Sequence, residues 1–167
     1  MFDRAAFTRE FSSAGRRLGE GAHAARVELL VQAAREVGGE AVALVDECWR
    51  RGDNDERRAV LRALERLPEP ERFVPLAVGA CRLNVVPVFE AVACDNGFAA
   101  RWFPDAAFNQ MVLKALFVGV AIDRIVGLAG RVTPELERMA AAYASERRAA
   151  GRPVSDDTER LATGRMR

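Results

Sequence analysis

Apolar residues recur every third and fourth position along almost the whole chain, and glycine or proline interrupts them at short intervals. That combination admits little besides amphipathic helices joined by tight turns. The alternation of β-branched residues that a half-buried strand needs is absent. Phe7, Phe11, Ala14 and Leu18 stripe a first helix. Val27, Leu30, Val31 and Ala34 stripe a second, closed by Gly38-Gly39. Val42, Val45, Cys48 and Trp49 mark a third that stops at Gly52. Asp53 and Glu56 have the spacing of a capping box, in which each side chain satisfies a backbone amide at a helix start. Val60, Leu61, Leu64 and Leu67 then share a face, until Pro68 and Pro70 end one helix and open the next. Phe73, Leu76, Ala77 and Ala80 form that next stripe.

The second half reads the same way. Asn84 is placed to cap a helix carrying Val85, Val88, Phe89 and Val92, which Asn96-Gly97 closes. Phe98 to Phe103 reads as an aromatic connector. Asp105 is the expected cap of a helix that Gly119 ends. A short helical turn over Ala121 to Leu128 precedes a long helix opened by Thr133-Pro134, with Leu136, Met139, Ala140 and Tyr143 on one face. Gly151 and Pro153 stop it, and residues 155–167 form a short helix or a frayed tail starting at Ser155. About eight helices of roughly ten to sixteen residues define an all-α chain of antiparallel helix pairs. They stack as a curved HEAT- or armadillo-like array or close into a compact bundle. Several helices are apolar on more than one face, which favours the stack. No linker is visible, so residues 1–154 are expected to form one domain.

Charge and cysteine content narrow the function. Lys and Arg number 25 against 24 Asp and Glu. That balance gives no footprint for nucleic acid. Arg160, Arg165 and Arg167 suggest a solvated basic tail. Cys48, Cys81 and Cys94 are odd in number and widely spaced, and His23 is the only histidine, so neither a disulfide framework nor a metal site is expected. Met1 to Leu18 mixes apolar residues with charges, unlike a secretion signal. The longest apolar run, Met111 to Ile122, is broken by Lys114 and Gly119 and is too short for membrane insertion. A cytoplasmic protein is the expectation. Phosphate-loop, dinucleotide, nucleophile-elbow and zinc-protease motifs are missing, and no cofactor is expected.

Lys114 is the only lysine among those 25 basic residues. It sits with Asn109 and Gln110 inside the apolar run Phe108 to Phe117. A charge in such a run must reach water or a partner. Gln110 and Lys114 lie one helical turn apart and share a face. Between Leu83 and Cys94, Glu90 is the one charged side chain, with Lys114, Arg82 and Arg124 as its natural partners. Arg82, Asn84, Glu90, Asn109, Gln110, Lys114 and Arg124 are therefore the candidate ligand- or partner-binding residues. A Glu90–Lys114 pair serves either as a polar site or as a structural lock between helices. The amides equally suit helix-to-helix hydrogen bonding. Trp102 and Phe103 beside Arg101 either stack a planar ligand or plug a helix junction.

Several of these blocks resemble the EboA family. They are Arg82 to Ala93, Phe103 to Phe117, Arg124 to Leu128, Pro134 to Met139, and Tyr143 to Arg152. Residues 72–154 carry the best match. The resemblance implies an all-helical protein tied to bacterial gene clusters that make and move a secondary metabolite. Its expected partners are a small-molecule metabolite or the enzymes that process it. The resemblance implies no agreed biochemical activity: a non-enzymatic binding or scaffold protein is the first expectation, and an enzyme using Glu90 and Lys114 the second. The chain departs from the family's usual late-helix aspartate, histidine and tryptophan at Ala142, Ser145 and Arg148. It also has Gly97-Phe98 in place of a proline-aromatic pair.

Overall fold

The computed structural model describes residues 2–165, and Arg167 of the expected basic tail lies outside them. Those residues are all-α, with short 3-10 turns and no strand. No helix among them is long and apolar enough to cross a membrane. The chain falls into two compact units, the first ending at Val92 and the second beginning at Ala93.

In the first unit, α1 (Arg4–Leu18), α2 (Ala22–Val37), α3 (Ala41–Arg51) and α4 (Asn54–Ala63) follow one another through connections of two or three residues. Helix α2 is central and packs on α1, α3 and α4. Its Leu30, Val31, Ala33 and Ala34 are buried, as are Ala59, Val60 and Ala63 of α4. Alanines at such positions let helix axes approach closely. The buried side of α3 is Ala41, Leu44 and Val45. Val42, Cys48 and Trp49 are only partly buried, so the stripe is rotated from the one expected. Both halves of the Asp53–Glu56 capping box form, with amide-to-carboxylate distances of 2.8 and 2.9 Å.

Arg26 of α2 is buried and reaches back to α1. Its Nε donates to the Phe11 carbonyl at 3.0 Å, and its guanidinium lies over the Phe11 ring. His23, one turn earlier, is partly buried near Arg58 and Arg62, and both its burial and those cations hold its pKa below 6.5. A 3-10 turn, Leu64–Arg66, carries the chain from α4 to the prolines, and Pro70 opens the turn that leads into α5 (Val74–Ala80). Helix α6 (Val86–Ala93) buries Val88, Phe89 and Val92 of the expected stripe, while Val85 precedes the helix and is only partly buried.

The second unit contains α7 (Phe98–Trp102), α8 (Asp105–Val118), α9 (Pro134–Ala149) and α10 (Asp156–Ala162). The expected aromatic connector is thus mostly helix. Asn96 accepts from the Phe98 amide at 2.9 Å and so leads into α7 rather than ending α6. The left-handed residue after α6 is Asp95, at φ +55°. A non-glycine residue there is strained. Two ties to Arg124 hold it: the Asp95 amide donates to the Arg124 carbonyl at 2.8 Å, and the Arg124 guanidinium donates to Asp95 Oδ2 at 2.7 Å.

Asp105 is the first residue of α8, not its cap; Pro104 precedes it with no side-chain capping bond. Its carboxylate accepts from Arg131 Nη2 at 2.5 Å. Arg131 also donates to the carbonyls of Ala99 and Ala100 in α7, and it covers the Phe108 ring at 4.3 Å. One guanidinium therefore joins α7, the start of α8 and the 3-10 turn Leu128–Arg131. Helix α8 ends at Gly119, φ +75°, whose amide donates to the Ala115 carbonyl.

Thr133 and Ser155 cap α9 and α10 as expected. Helix α10 is docked on α9 through the buried Thr158 and Leu161. Arg160 is not part of a solvated tail. It pairs with Asp123 and Asp157, and Asp157 accepts from the Ile122 amide at 3.1 Å.

Two outcomes follow. Gly127 has φ +76°, and a Cβ there would stand 2.7 Å from the Ala100 Cβ. Gly127→Ala is expected to destabilise the chain by roughly 2 kcal/mol, from left-handed strain plus overlap, read as a lower midpoint in urea. An unchanged midpoint would contradict this packing. For His23, the folded pKa is lowered, so the folded state resists protonation. The stability loss begins as pH falls through about 6.5 and is complete below the folded pKa. The melting temperature should fall more between about pH 7.5 and pH 5 in the parent than in His23→Gln; parallel curves would contradict it.

Candidate functional site

Helix α8 is apolar on most of its circumference, so packing leaves only a strip of it to solvent. Phe108, Met111, Val112, Ala115 and Leu116 are buried, and Asn109 is buried among them. Gln110 is exposed, Lys114 is partly buried, and Phe117 follows them on the same face with 73 % of its surface in water. Positions 110, 114 and 117 are separated by four and three residues, the spacing of one helical stripe. The polar edge expected from the sequence is present, and it ends in an exposed aromatic ring. In the sequence Phe117 reads only as the last residue of the apolar run Phe108 to Phe117.

The other candidate residues are distributed as follows. Arg82 and Asn84 are exposed on the segment between α5 and α6, and Glu90 is partly buried on α6, all in the first unit. Asn109 and Gln110 sit in the second turn of α8 rather than at its start. Arg124 spends its guanidinium on Asp95, where it supports the strained turn after α6. Phe103 is buried and meets Phe98 edge-on, while Phe98 lies 5.0 Å from Trp102, so this cluster seals the α7 junction. Arg101 stacks outside Trp102.

Phe117 forms one wall of an open groove of about 360 Å³ in the second unit. It is also lined by Tyr143 and Arg147, one turn apart on α9, by Pro153 of the α9–α10 connection and by Thr158 of α10. Arg147 is fixed in place: its Nε and Nη2 both donate to the Pro153 carbonyl, at 3.0 and 2.9 Å. Such a groove falls within the usual size of small-molecule sites and has their mixture of aromatic walls and few polar groups.

The first unit holds a smaller cavity of about 50 Å³, with Phe7, Phe11, Leu44, Cys48 and Glu56 in its walls. It has room for water rather than a metabolite. Burial, reinforced by Glu47 and Glu56, pushes the Cys48 thiol up to about 12.

A family model described as metabolite traffic protein EboA matches residues 20–163. The chain belongs to the EboA family. No curated protein and no solved structure matches it. The EboA match begins ahead of α2 and runs through α10, so it takes in the whole groove and extends well upstream of residues 72–154, which carried the resemblance. Helix α1 lies entirely before it. The three departures from the usual late-helix pattern, Ala142, Ser145 and Arg148, are all exposed on α9. Arg148 pairs with Glu159 of α10.

Tyr143 and Arg147 were legible in the sequence only as part of a helical stripe and a family block. Their four-residue spacing was the available signal. What it could not show was the loop carbonyl that fixes the arginine.

Cys48 gives a direct check on the first-unit cavity. With a pKa near 12, only about one thiol in ten thousand is ionised at pH 8, and the thiolate is the reactive form. Peptide mapping after iodoacetamide treatment of the native protein should find Cys48 unmodified until denaturant is added. Alkylation at the rate of an ordinary exposed cysteine would contradict the burial.

Proposed function

We propose that this EboA-family protein is a non-enzymatic helical carrier or scaffold in bacterial secondary metabolism. It binds a small metabolite or precursor and holds it for the enzymes that process it. Metabolite traffic is the family's role. The observation that carries the finer reading is the groove beside Phe117. It lies inside the family-matched span, has an aromatic wall exposed to water, and holds a fixed cation. An exposed phenylalanine in a concave site favours an apolar ligand, because covering the ring removes its surface from water. Gln110 and Lys114, on the same face of α8, supply polar contacts at the rim for the ligand or for a partner enzyme. Arg82, Asn84 and Glu90 are proposed as partner-facing polar residues of the first unit. Nothing in this reading calls for nucleic acid or membrane insertion.

The alternative, an enzyme using Glu90 as acid or base with Lys114 beside it, would require turnover of the bound molecule. Native mass spectrometry of the protein purified gently from its own host separates the two. The carrier reading expects a bound molecule of defined mass and unchanged composition over time, lost in Phe117→Ser. Conversion of that molecule on incubation, abolished by Glu90→Gln, would contradict it and establish catalysis. Retention of the full ligand load by Phe117→Ser would move the site away from the groove.

A further inference from the structure

We propose that the α8–α9 groove selects anionic amphiphiles: small molecules with a flat or branched apolar body and one acidic group, the body against Phe117 and Tyr143 and the acid on Arg147. The inference rests on the metabolite-binding reading and adds the chemical class of the ligand.

Charge accounting along α9 is the first support. Arg138 pairs with Glu135 within the helix, and Arg148 pairs with Glu159 of the next one. Arg147, between them in sequence, has no carboxylate partner among the described residues; its bonds go to one neutral carbonyl. Its positive charge is therefore not neutralised by the protein, although its position is fixed. A guanidinium has five N–H donors in a rigid fork, and one carbonyl leaves most of them free. Because the loop already holds the side chain, a ligand would not have to order it on binding.

The second support is the apolar wall. Phe117 leaves most of its ring in water although the rest of α8 is packed tightly enough to bury Phe108, Val112 and Ala115 completely. Gly119 ends the helix two residues later, and its left-handed backbone turns the chain at the groove's edge. Tyr143 faces the same space. Two rings and one unneutralised cation around a small-molecule-sized groove match an apolar body with a single negative charge. A wholly apolar ligand would leave Arg147 to be desolvated without compensation. A wholly polar one would leave the rings uncovered.

A dye pair isolates the charge. Anilinonaphthalene sulfonate and N-phenylnaphthylamine share the aromatic body, and only the first is anionic. Titrated against the full chain under native conditions, the sulfonate should bind at one site, with affinity that falls as salt rises, while the neutral dye binds more weakly and without salt dependence. Arg147→Gln should weaken the sulfonate by roughly tenfold, about 1.4 kcal/mol, and should not weaken the neutral dye. Phe117→Ser, at an exposed position, should weaken both. Displacement of the sulfonate by an alkyl carboxylate and by an alkyl phosphate then tells which acidic head is preferred.

Should Arg147→Gln lose its cooperative melt, the salt response of the parent decides instead. Equal sulfonate affinity in Arg147→Gln, or salt-independent sulfonate binding in the parent, would overturn the anion selectivity. In either case, loss of both dyes in Phe117→Ser would keep the groove as a carrier site. Dye binding insensitive to Phe117→Ser would overturn both readings.

Discussion

Arg131 organises the second unit. A single guanidinium bonds the Ala99 and Ala100 carbonyls of α7, the first-turn carboxylate of α8 and the face of Phe108. Each contact alone is modest. Together they set the line along which α8 leaves its start, fourteen residues before Gly119 ends it. The carboxylate of Asp105 sits where the helix dipole favours negative charge, so the pair with Arg131 and the helix start reinforce one another. With α8 directed in this way, Met111 and Ala115 go inward and Phe117 is left at the surface.

The groove depends equally on α9 and the chain that follows it. Thr133 and Pro134 start α9, and Gly151 at φ +65° lets the chain turn before Pro153. Arg147 grips the Pro153 carbonyl, and Ser155 and Thr158 lock the first turn of α10 through a 2.8 Å hydroxyl contact. Arg160 then ties α10 to Asp123, and Asp157 ties it to the Ile122 amide. The groove floor is fastened on both sides before any ligand is present. That arrangement suits a protein that holds a molecule and passes it on, since a site formed in advance spends little binding energy on ordering itself.

Helix starts and stops were legible wherever the signal is local. Gly38, the Asp53–Glu56 box, Thr133-Pro134 and Ser155 each act through backbone geometry within a few residues, and each appears where the sequence places it. Asp95 was not legible as a left-handed residue, because the Arg124 contacts that sustain it come from 29 residues away. Asp105 has the residue type of a cap but is recruited by Arg131 instead. The solvent-facing side of α8 was only half legible: Gln110 and Lys114 identify it by polarity, whereas Phe117 contradicts polarity and is exposed because no neighbour covers it. Arg160 reads as tail charge until Asp123 and Asp157 are placed beside it.

We propose that the groove between Phe117 and Arg147 holds the ligand of this protein. Backbone amide NMR during titration with anilinonaphthalene sulfonate tests it most directly, since it locates the ligand without altering a residue. Shifts should concentrate at Leu116 to Val120, Tyr143 to Arg147 and Val154 to Thr158. Shifts confined to α1–α4, or spread evenly over the chain, would contradict it.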